Sequence, residues 1–255
     1  MAKVISISNQ KGGVGKTTTA INLSASLAAA EKSCLLIDCD PQGNATTGLG
    51  IDRSGIKAGL YDLLLGGLSL SDVLLDTALS GLHLIAATSD LVGAEVEMSS
   101  LRDKEFLLKR HLIKYENEFD YVFIDCPPSL GFLTVNAMTA AGSVIVPLQC
   151  EYYALEGLSQ LLRTIKALKH SLNPGLRLSG ILLTMYDQRN NLSKQVAEEV
   201  RNHFKSTVFN TVVPRNVRLS EAPSHGKPIL LYDIRSTGAQ SYLELAKELI
   251  CREIG

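Results

Sequence analysis

The residues best suited to chemistry lie in one short stretch near the start of the sequence, VISISNQKGGVGKTTT at positions 4–19. Its glycines free the backbone to curl, and curled backbone N–H groups can cradle an anion. Lys16 follows the last of these glycines and can reach the β- and γ-phosphates of a nucleotide, while Thr17 offers a hydroxyl to Mg²⁺. The stretch therefore predicts a phosphate-binding loop for a nucleoside triphosphate. The residues of this loop are Lys11, Gly12, Gly13, Val14, Gly15, Lys16, Thr17 and Thr18.

A phosphate loop needs a strand before it and a helix after it. The β-branched residues of 4–7 predict a buried strand, and residues 17–30 predict a helix that directs its positive end at the same place. Position 10, where the usual formula has a glycine, holds Gln10, and Lys11 supplies a second lysine instead. A lysine beside glycines is most often a solvated loop residue, and from the residues alone this interpretation of Lys11 stays open.

An acidic loop follows the second predicted strand, residues 33–37. Asp38 and Asp40 stand at the carboxyl end of that strand, where α/β sheets bind their ligands. Pro41 and Gly43 should prevent a helix there, so we expect a loop that can move. An aspartate ahead of a proline is also a common turn former, and this alternative applies to Asp40 considered alone.

A third candidate ligand stands at the end of the apolar run at 121–124, in the sequence YVFIDCPP. This is a Walker B arrangement, in which Asp125 can hold Mg²⁺ through a water beside Thr17 and the phosphate oxygens. The alternative is that Asp125 caps a helix beginning near Gly131, since aspartate is a favoured capping residue. Its pairing with a phosphate loop favours the metal role.

The remaining apolar runs supply the scaffold. Further strands are predicted at 82–86, 143–147, 179–184 and 208–213. Further helices are predicted at 59–66, 71–75, 103–115, 155–170, 192–205 and 237–254. About seven short strands separated by helices predict a mostly parallel, twisted sheet with helices on both faces, in a single α/β domain over 1–255. Tyr152 and Tyr153 are interpreted as interface or core aromatics rather than as a base-stacking pair.

Composition limits the classes of function. A chain of 255 residues with 45% hydrophobic content can bury one large core. The net charge of −1 lacks the global basic signature of proteins that coat nucleic acid, so any DNA contact must come from a local patch. The five cysteines show no C-x-x-C pairing and are expected to be free thiols. No signal sequence or apolar run of about 20 residues is visible, so we expect a soluble cytoplasmic protein.

Five motifs together resemble one family over essentially the whole chain. They are KGGVGKTTT, DCDPQGNATTGLG, DCPPSLG, CEYYALEGLSQL and PRNVRLSEAPSHGKP. The combination is similar to the small, Soj-like ParA chromosome-partitioning ATPases, P-loop proteins whose deviant Walker A motif carries the extra lysine. The larger plasmid-type ParA proteins have an N-terminal DNA-binding extension, and a first strand that begins near Lys3 leaves no space for one.

The resemblance implies roles for individual residues. Lys11 would reach across a nucleotide-sandwich dimer to the partner's phosphates, and Lys16 would hold the phosphates of its own chain. Asp40 would position the attacking water, while Thr17, Asp38 and Asp125 would serve the Mg²⁺ site.

The family pattern also implies a base site and a DNA surface. The residues from Pro214 to Asn216 would enclose adenine, with Asn216 hydrogen-bonding its edge; the alternative is a plain turn. The candidate nucleotide contacts beyond the phosphate loop are Met185, Pro214, Arg215 and Asn216. Arg189 and Arg218 would contact DNA phosphates, whereas any single surface arginine is ordinarily just solvated.

The implied function is a slow, partner-stimulated ATPase that dimerises with ATP and Mg²⁺, binds DNA without sequence preference on the bacterial nucleoid, and works with a ParB-type centromere-binding protein. A MinD-like membrane switch is the alternative, but the tail at 245–255 mixes both charge signs and reads as the last helix of the fold. An iron–sulfur reductase would need two cysteines aimed at a dimer axis, and Cys39 and Cys126 are poorly suited to that.

Overall fold

The computed structural model describes residues 1–254, and the side chains of residues 1–252. In this part of the chain one sheet of eight strands runs in the order β3-β4-β2-β5-β1-β6-β7-β8. The strands are β1 Lys3–Ile7, β2 Cys34–Asp38, β3 Leu74–Asp76, β4 Leu82–Ile85, β5 Tyr121–Asp125, β6 Ser143–Gln149, β7 Arg177–Tyr186 and β8 Val208–Pro214. All neighbouring strands are parallel except β3, which pairs antiparallel with β4 at one edge.

Helices connect the strands and cover both faces of the sheet. The longer ones are α1 Lys16–Ala29, α5 Leu91–Met98, α7 Phe132–Ala140, α8 Ala154–Ser171, α9 Asn191–Phe204 and α12 Thr237–Ile254. The shorter ones are α2 Asn44–Gly48, α3 Leu60–Leu64, α4 Leu70–Val73, α6 Leu107–Leu112, α10 Val217–Glu221 and α11 Ile229–Tyr232. The mostly parallel α/β fold expected from the sequence is therefore confirmed.

Alternation along the strands divides the core between the two faces. In β2, Leu36 packs with α1 and α12, whereas Leu35 and Ile37 pack with α3, α5, α6 and α7 on the other side. A third apolar cluster joins β6 and β7 to α8 and α9. Strands apolar on both faces need cover on both faces, which explains why every residue of β2 and β5 is buried.

Strand register brings the candidate site together. Ile7 of β1 pairs with Asp125 of β5, and Asp125 pairs in turn with Asp38 of β2. The three central strands therefore end at the same level, with the phosphate loop after β1 and both carboxylates on the adjoining strand ends.

The structure differs from the predicted elements in several places. The segment 71–75, predicted as a helix, divides into the end of α4 and the short edge strand β3. The segment 103–115, predicted as one helix, consists of α6 flanked by two 3₁₀ turns, and Asp103, with a positive φ of 53°, stays outside them. A helix begins at Asn44, directly after Gly43, where the sequence predicts none. Gly43 adopts a left-handed φ of 68°, which turns the chain from the loop into α2.

Candidate nucleotide-binding site

The phosphate loop occupies the turn between β1 and α1. Gly13 and Gly15 adopt positive φ angles of 73° and 88°, which curl the backbone into a cradle. Added Cβ atoms at Gly12 and Gly13 would meet nothing within 4 Å, so this part of the loop faces open space. The loop is anchored from the sheet because the Thr184 hydroxyl donates to the Val14 carbonyl at 2.8 Å.

Lys16 brings a buried cation to the loop. Its side chain is only 6% exposed, and its Nζ donates to the Lys11 carbonyl at 3.1 Å. Burial lowers the pKa of Lys16, while the carboxylates of Asp125 and Asp40 act in the opposite direction. A buried ammonium has three donors. Placed beside curled glycine backbone, it is suited to holding phosphate oxygens.

Lys11, the extra lysine, contacts a residue of its own chain in this structure. Its Nζ forms an ion pair with Glu151, and both side chains are about half exposed. Glu151 also accepts a hydrogen bond from Gln149 Nε2 at 2.6 Å, just past the end of β6. Lys11 is thus neither buried nor freely solvated, and it would have to leave Glu151 to reach a second chain.

The two strand-end carboxylates are deeply buried and very differently satisfied. Asp38 Oδ2 accepts hydrogen bonds from the Thr46 N–H at 2.8 Å and the Thr46 hydroxyl at 2.7 Å. Both oxygens of Asp125 are buried without a hydrogen bond of acceptable geometry to any described residue. Burial raises the pKa of Asp38 to about 6, and burial together with Asp38 raises the pKa of Asp125 well above its usual range.

These residues fit a divalent cation. An unsatisfied buried carboxylate is costly unless a cation compensates it, and the Thr17 side chain already acts to lower the pKa of Asp125. No group of three or more His, Cys, Asp or Glu side chains within the described residues could hold a metal by itself. Mg²⁺ takes one or two protein carboxylates together with phosphates and waters, and Asp125 beside the phosphate loop offers one of them. The alternative of a helix cap is not seen, because α7 begins at Phe132 without any side-chain cap.

Asp40 forms the turn that the alternative interpretation foresaw, and it also faces the phosphate loop. Its Oδ1 accepts from the Gln42 N–H at 2.9 Å, and its carbonyl accepts from the Gly43 N–H at 2.9 Å. The Asp40 side chain is close enough to Lys16 and Asp125 to affect the pKa of each. The turn thus fixes a carboxylate near Lys16 and Asp125.

A cavity of about 360 Å³ opens beside the phosphate loop, between the carboxyl ends of β7 and β8. Six of the twelve candidate nucleotide contacts line it: Gly15, Thr18, Met185, Pro214, Arg215 and Asn216. Sequence reasoning missed Leu219 and Tyr242, which also line the cavity. Tyr242 belongs to α12, more than 200 positions away, where it packs in the core with α1 and its hydroxyl contacts that of Thr19 at 3.2 Å.

Asn216 is already occupied by structural contacts. Its Oδ1 caps α10 by accepting from the Leu219 N–H at 3.3 Å, and its Nδ2 donates to the Thr237 hydroxyl at 2.6 Å. One amide N–H is left for a base, because a side-chain amide carries two donors.

The two candidate DNA arginines are exposed but paired. Arg189 donates from Nε and Nη2 to both carboxylate oxygens of Asp187, at 3.0 and 2.9 Å, and this contact lowers the pKa of Asp187 to about 2. Arg218 lies within 2.9 Å of Glu221 and 3.5 Å of Asp233. Each arginine therefore carries its own counter-charge.

Other predicted features are placed as follows. Tyr152 and Tyr153 are 75% and 68% exposed, so they are not core residues, and their rings form a T-shaped pair. Cys39 and Cys126 are buried, and burial raises the pKa of each thiol. Residues 245–254 of the tail belong to α12, which buries Leu245 and Leu249 in the core and bonds β8 through Arg252; residue 255 lies outside the described residues.

Within the described residues, no helix combines the length and the apolar character needed to cross a membrane.

Comparison with solved structures supports the fold. Cobyrinic acid a,c-diamide synthase from Mycobacterium smegmatis, solved with an ATP analogue and magnesium, superposes with a TM-score of 0.88 at 39% identity, covering 100% of this chain and 97% of that one. The cell division ATPase MinD of Pyrococcus furiosus superposes with a TM-score of 0.82 at 26% identity, covering 98% and 99% of the two chains.

Comparison of sequences gives nearer relatives. A family described as an AAA domain matches residues 2–178. The chain is 58% identical over 253 residues to the chromosome partitioning protein ParA of Myxococcus xanthus, covering 99% of this chain and 89% of that protein. It is 55% identical over 249 residues to the sporulation initiation inhibitor protein Soj of Bacillus subtilis, covering 98% of both. It is 51% identical over 253 residues to the chromosome-partitioning ATPase Soj of Treponema pallidum, covering 99% of both. The resemblance drawn from the five motifs is therefore confirmed, and the chain belongs to the ParA/Soj family of chromosome-partitioning proteins.

Proposed function

We propose that this protein is an ATP-dependent dimerisation switch that hydrolyses ATP slowly and serves chromosome or plasmid partitioning. The observation that carries the proposal is the pairing of a buried ammonium, Lys16, with an unsatisfied buried carboxylate, Asp125, at the mouth of the phosphate loop. A bound triphosphate would pair with Lys16, and its cation would pair with Asp125. The relatives named as chromosome-partitioning ATPases support the same conclusion.

Each part of the site has a proposed role in the reaction. The N–H groups of the phosphate loop and Lys16 hold the phosphates, which an in-line attack by water requires to be fixed. Mg²⁺, when bound, would neutralise charge developing on the phosphoryl oxygens. Thr17 and Asp125 would hold it, with Asp38 supporting its shell, and Asp40 orients the attacking water.

The base site is proposed to be the cavity between β7 and β8. Met185 and Pro214 offer it apolar contact, while Arg215 and Asn216 give it polar groups at the rim. Adenine would lie there with its phosphates at the amino end of α1, where the helix dipole favours negative charge.

Dimerisation is proposed to occur face to face through the phosphate loops. The open space at Gly12 and Gly13 supports this arrangement, because nothing of the chain itself fills it. Lys11 would leave Glu151 and contact the partner's phosphates. The dimer would bind double-stranded DNA without sequence preference on the nucleoid, and a ParB-type protein would stimulate hydrolysis and so release it.

Size-exclusion chromatography with light scattering tests the switch. With Mg²⁺ and a slowly hydrolysed ATP analogue the parental protein should elute as a dimer, and with ADP as a monomer. Lys16→Ala should stay monomeric in both, because the loop loses its buried cation. A parental protein that is monomeric with the analogue, although the analogue binds, would overturn the proposal.

A further inference from the structure

A side chain outside the phosphate site holds the loop that carries Asp40. Arg53 begins a 3₁₀ turn of three residues after α2. Its guanidinium donates from Nη2 to the Pro41 carbonyl at 2.9 Å and from Nη1 to the Gln42 carbonyl at 2.7 Å. These are the two residues that directly follow Asp40. The guanidinium therefore fixes the backbone immediately after the carboxylate.

The same guanidinium connects this loop to the sheet. Arg53 Nε donates to the Ala87 carbonyl at 3.0 Å, just past the end of β4. The Ala87 N–H donates to the Thr46 hydroxyl at 3.1 Å, and that hydroxyl donates to Asp38. Asp38 bonds the loop from the strand side and Arg53 bonds it from the far side.

The guanidinium packs directly against the loop backbone. A Cβ added at Gly43 would come within 2.5 Å of Arg53 Nε, so the loop backbone and the guanidinium are in direct contact. No ion pair with a carboxylate of the described residues is found for Arg53, and its three bonds all go to backbone carbonyls. A planar fork of donors suits three separate acceptors, whereas the compact ammonium of a lysine does not. The guanidinium thus joins the loop after Asp40 to the backbone past the end of β4.

We propose that Arg53 is a positioning residue for hydrolysis, which keeps the Asp40 carboxylate directed at the phosphate loop. The inference rests on the proposed function, since it assigns Arg53 to the step in which Asp40 orients water. Without Arg53, the Pro41 and Gln42 carbonyls lose these two bonds, and the turn keeps the bonds that Asp40 makes to the Gln42 and Gly43 N–H groups and those that the Gly43 carbonyl accepts from Thr47. A misplacement of about 1 Å near reacting atoms lowers a rate by roughly 100-fold.

Single-turnover hydrolysis and ATP binding, measured on the same variants of the full chain, test the proposal. Arg53→Met and Arg53→Lys should lower the hydrolysis rate by roughly 10- to 100-fold, while ATP affinity changes by less than about threefold, because Arg53 does not contribute to the phosphate cradle. Arg110→Met is the matched control. Arg110 is an exposed arginine on α6 that forms an ion pair with Asp103. Its loss should change neither the hydrolysis rate nor the ATP affinity.

A double variant distinguishes positioning from general support of the fold. If Arg53 acts through Asp40, adding Arg53→Met to Asp40→Ala should cause no further loss of the residual rate. A further tenfold loss would overturn the proposal, as would a parental rate in both Arg53 variants. Loss of ATP binding in Arg53→Lys would also overturn it, since Arg53 would then support the whole site. If the parental protein hydrolyses no ATP, the proposed function fails instead. If Asp40→Ala hydrolyses ATP at the parental rate, Asp40 does not orient the water, and the role of Arg53 fails with it.

Discussion

At the residue scale, the site gathers three carboxylates around one buried cation. Asp38, Asp40 and Asp125 all lie close enough to interact electrostatically at the end of the sheet, and Lys16 is the cation. Burial raises the pKa of Asp125, and the neighbouring carboxylates of Asp38 and Asp40 raise it further, because one buried negative charge disfavours the ionisation of the next. The group has an excess of negative charge, which a divalent cation bound with the phosphates would offset.

Lys16 and Asp40 should separate binding from hydrolysis. Lys16→Ala should abolish ATP binding, because a buried ammonium is removed from the phosphate cradle, and the variant should stay monomeric. Asp40→Ala should bind ATP and accumulate as a dimer, since the cradle is unaltered. Calorimetry, light scattering and phosphate release measure the three properties. Turnover by Asp40→Ala at the parental rate would remove its water-positioning role.

Asp125 should destabilise the metal-free protein at neutral pH. Its pKa is raised in the folded state, so the folded state binds protons more tightly than the unfolded chain and stability falls as pH rises above about 4 toward that raised pKa. Asp125→Asn removes this loss. Relief of about 1 kcal/mol would raise the Tm by roughly 2–4 °C for a chain of this size.

Thermal unfolding in EDTA at pH 5 and pH 8 measures the effect. The gain of Asp125→Asn over the parental protein should be larger at pH 8, and addition of Mg²⁺ with an ATP analogue should stabilise the parental protein more than the variant. Asp120→Asn, at the exposed amino end of β5, is the matched control. An equal gain at both pH values would show that charge at Asp125 is not the cause.

Sequence foretold the residues of the site better than their contacts. The spacing from Gly12 to Thr17 and the aspartates at strand ends are local signals, so they could be read directly. The ion pair of Lys11 with Glu151 joins positions 140 apart, and the bonds of Arg53 to Ala87 join positions 34 apart. Such contacts depend on strand order in the sheet, which periodicity does not specify.

At the element scale, the candidate nucleotide contacts all lie at the carboxyl ends of parallel strands, in the loops that follow them, or in the first turn of α1. Long elements with clear periodicity, such as α8 and α12, were predicted nearly to their ends. The short α2 and β3 were not, because elements of five and three residues have no period to read. Tertiary contacts decide those segments, as the bond from Thr46 in α2 to Asp38 illustrates.

Gly12 belongs to the loop that should meet its counterpart in a dimer. Gly12→Val should leave ATP binding by the monomer measurable, because an added Cβ meets nothing within 4 Å in the chain. It should prevent dimerisation, because the branched side chain would occupy the space of the partner's backbone. Light scattering with an ATP analogue checks this. Gly175→Val, at the opposite end of the sheet, is the control, because a Cβ added there would lie 3.7 Å from its nearest neighbour. Nucleotide-dependent dimers of Gly12→Val would show that the loops do not meet there.

At the scale of the whole molecule, charge determines how DNA could be bound. The chain has 25 basic and 26 acidic residues, so nonspecific attraction must come from a local surface. Arg189 and Arg218 each form an ion pair with a neighbouring carboxylate, which offsets the positive charge. Because nonspecific affinity grows with the number of phosphates neutralised, one monomer offers few contacts. A dimer doubles them, which would make DNA binding depend on ATP.

Arg189→Ala and Arg218→Ala should therefore keep ATP-dependent dimerisation and weaken binding to unrelated duplexes equally. Each contact contributes about −0.9 to the slope of log affinity against log salt, so loss of one contact per subunit should reduce the dimer's slope by roughly two. The freed carboxylate of Asp187 or Glu221 would add repulsion. Fluorescence anisotropy at several salt concentrations measures both quantities. Arg110→Ala removes a carboxylate-paired arginine on α6 that is as exposed as Arg218, and it should leave the affinity and the slope unchanged. Should the double variant of Arg189 and Arg218 keep the parental affinity and slope, the DNA surface must lie elsewhere on the dimer, because these two arginines would then contact no phosphate.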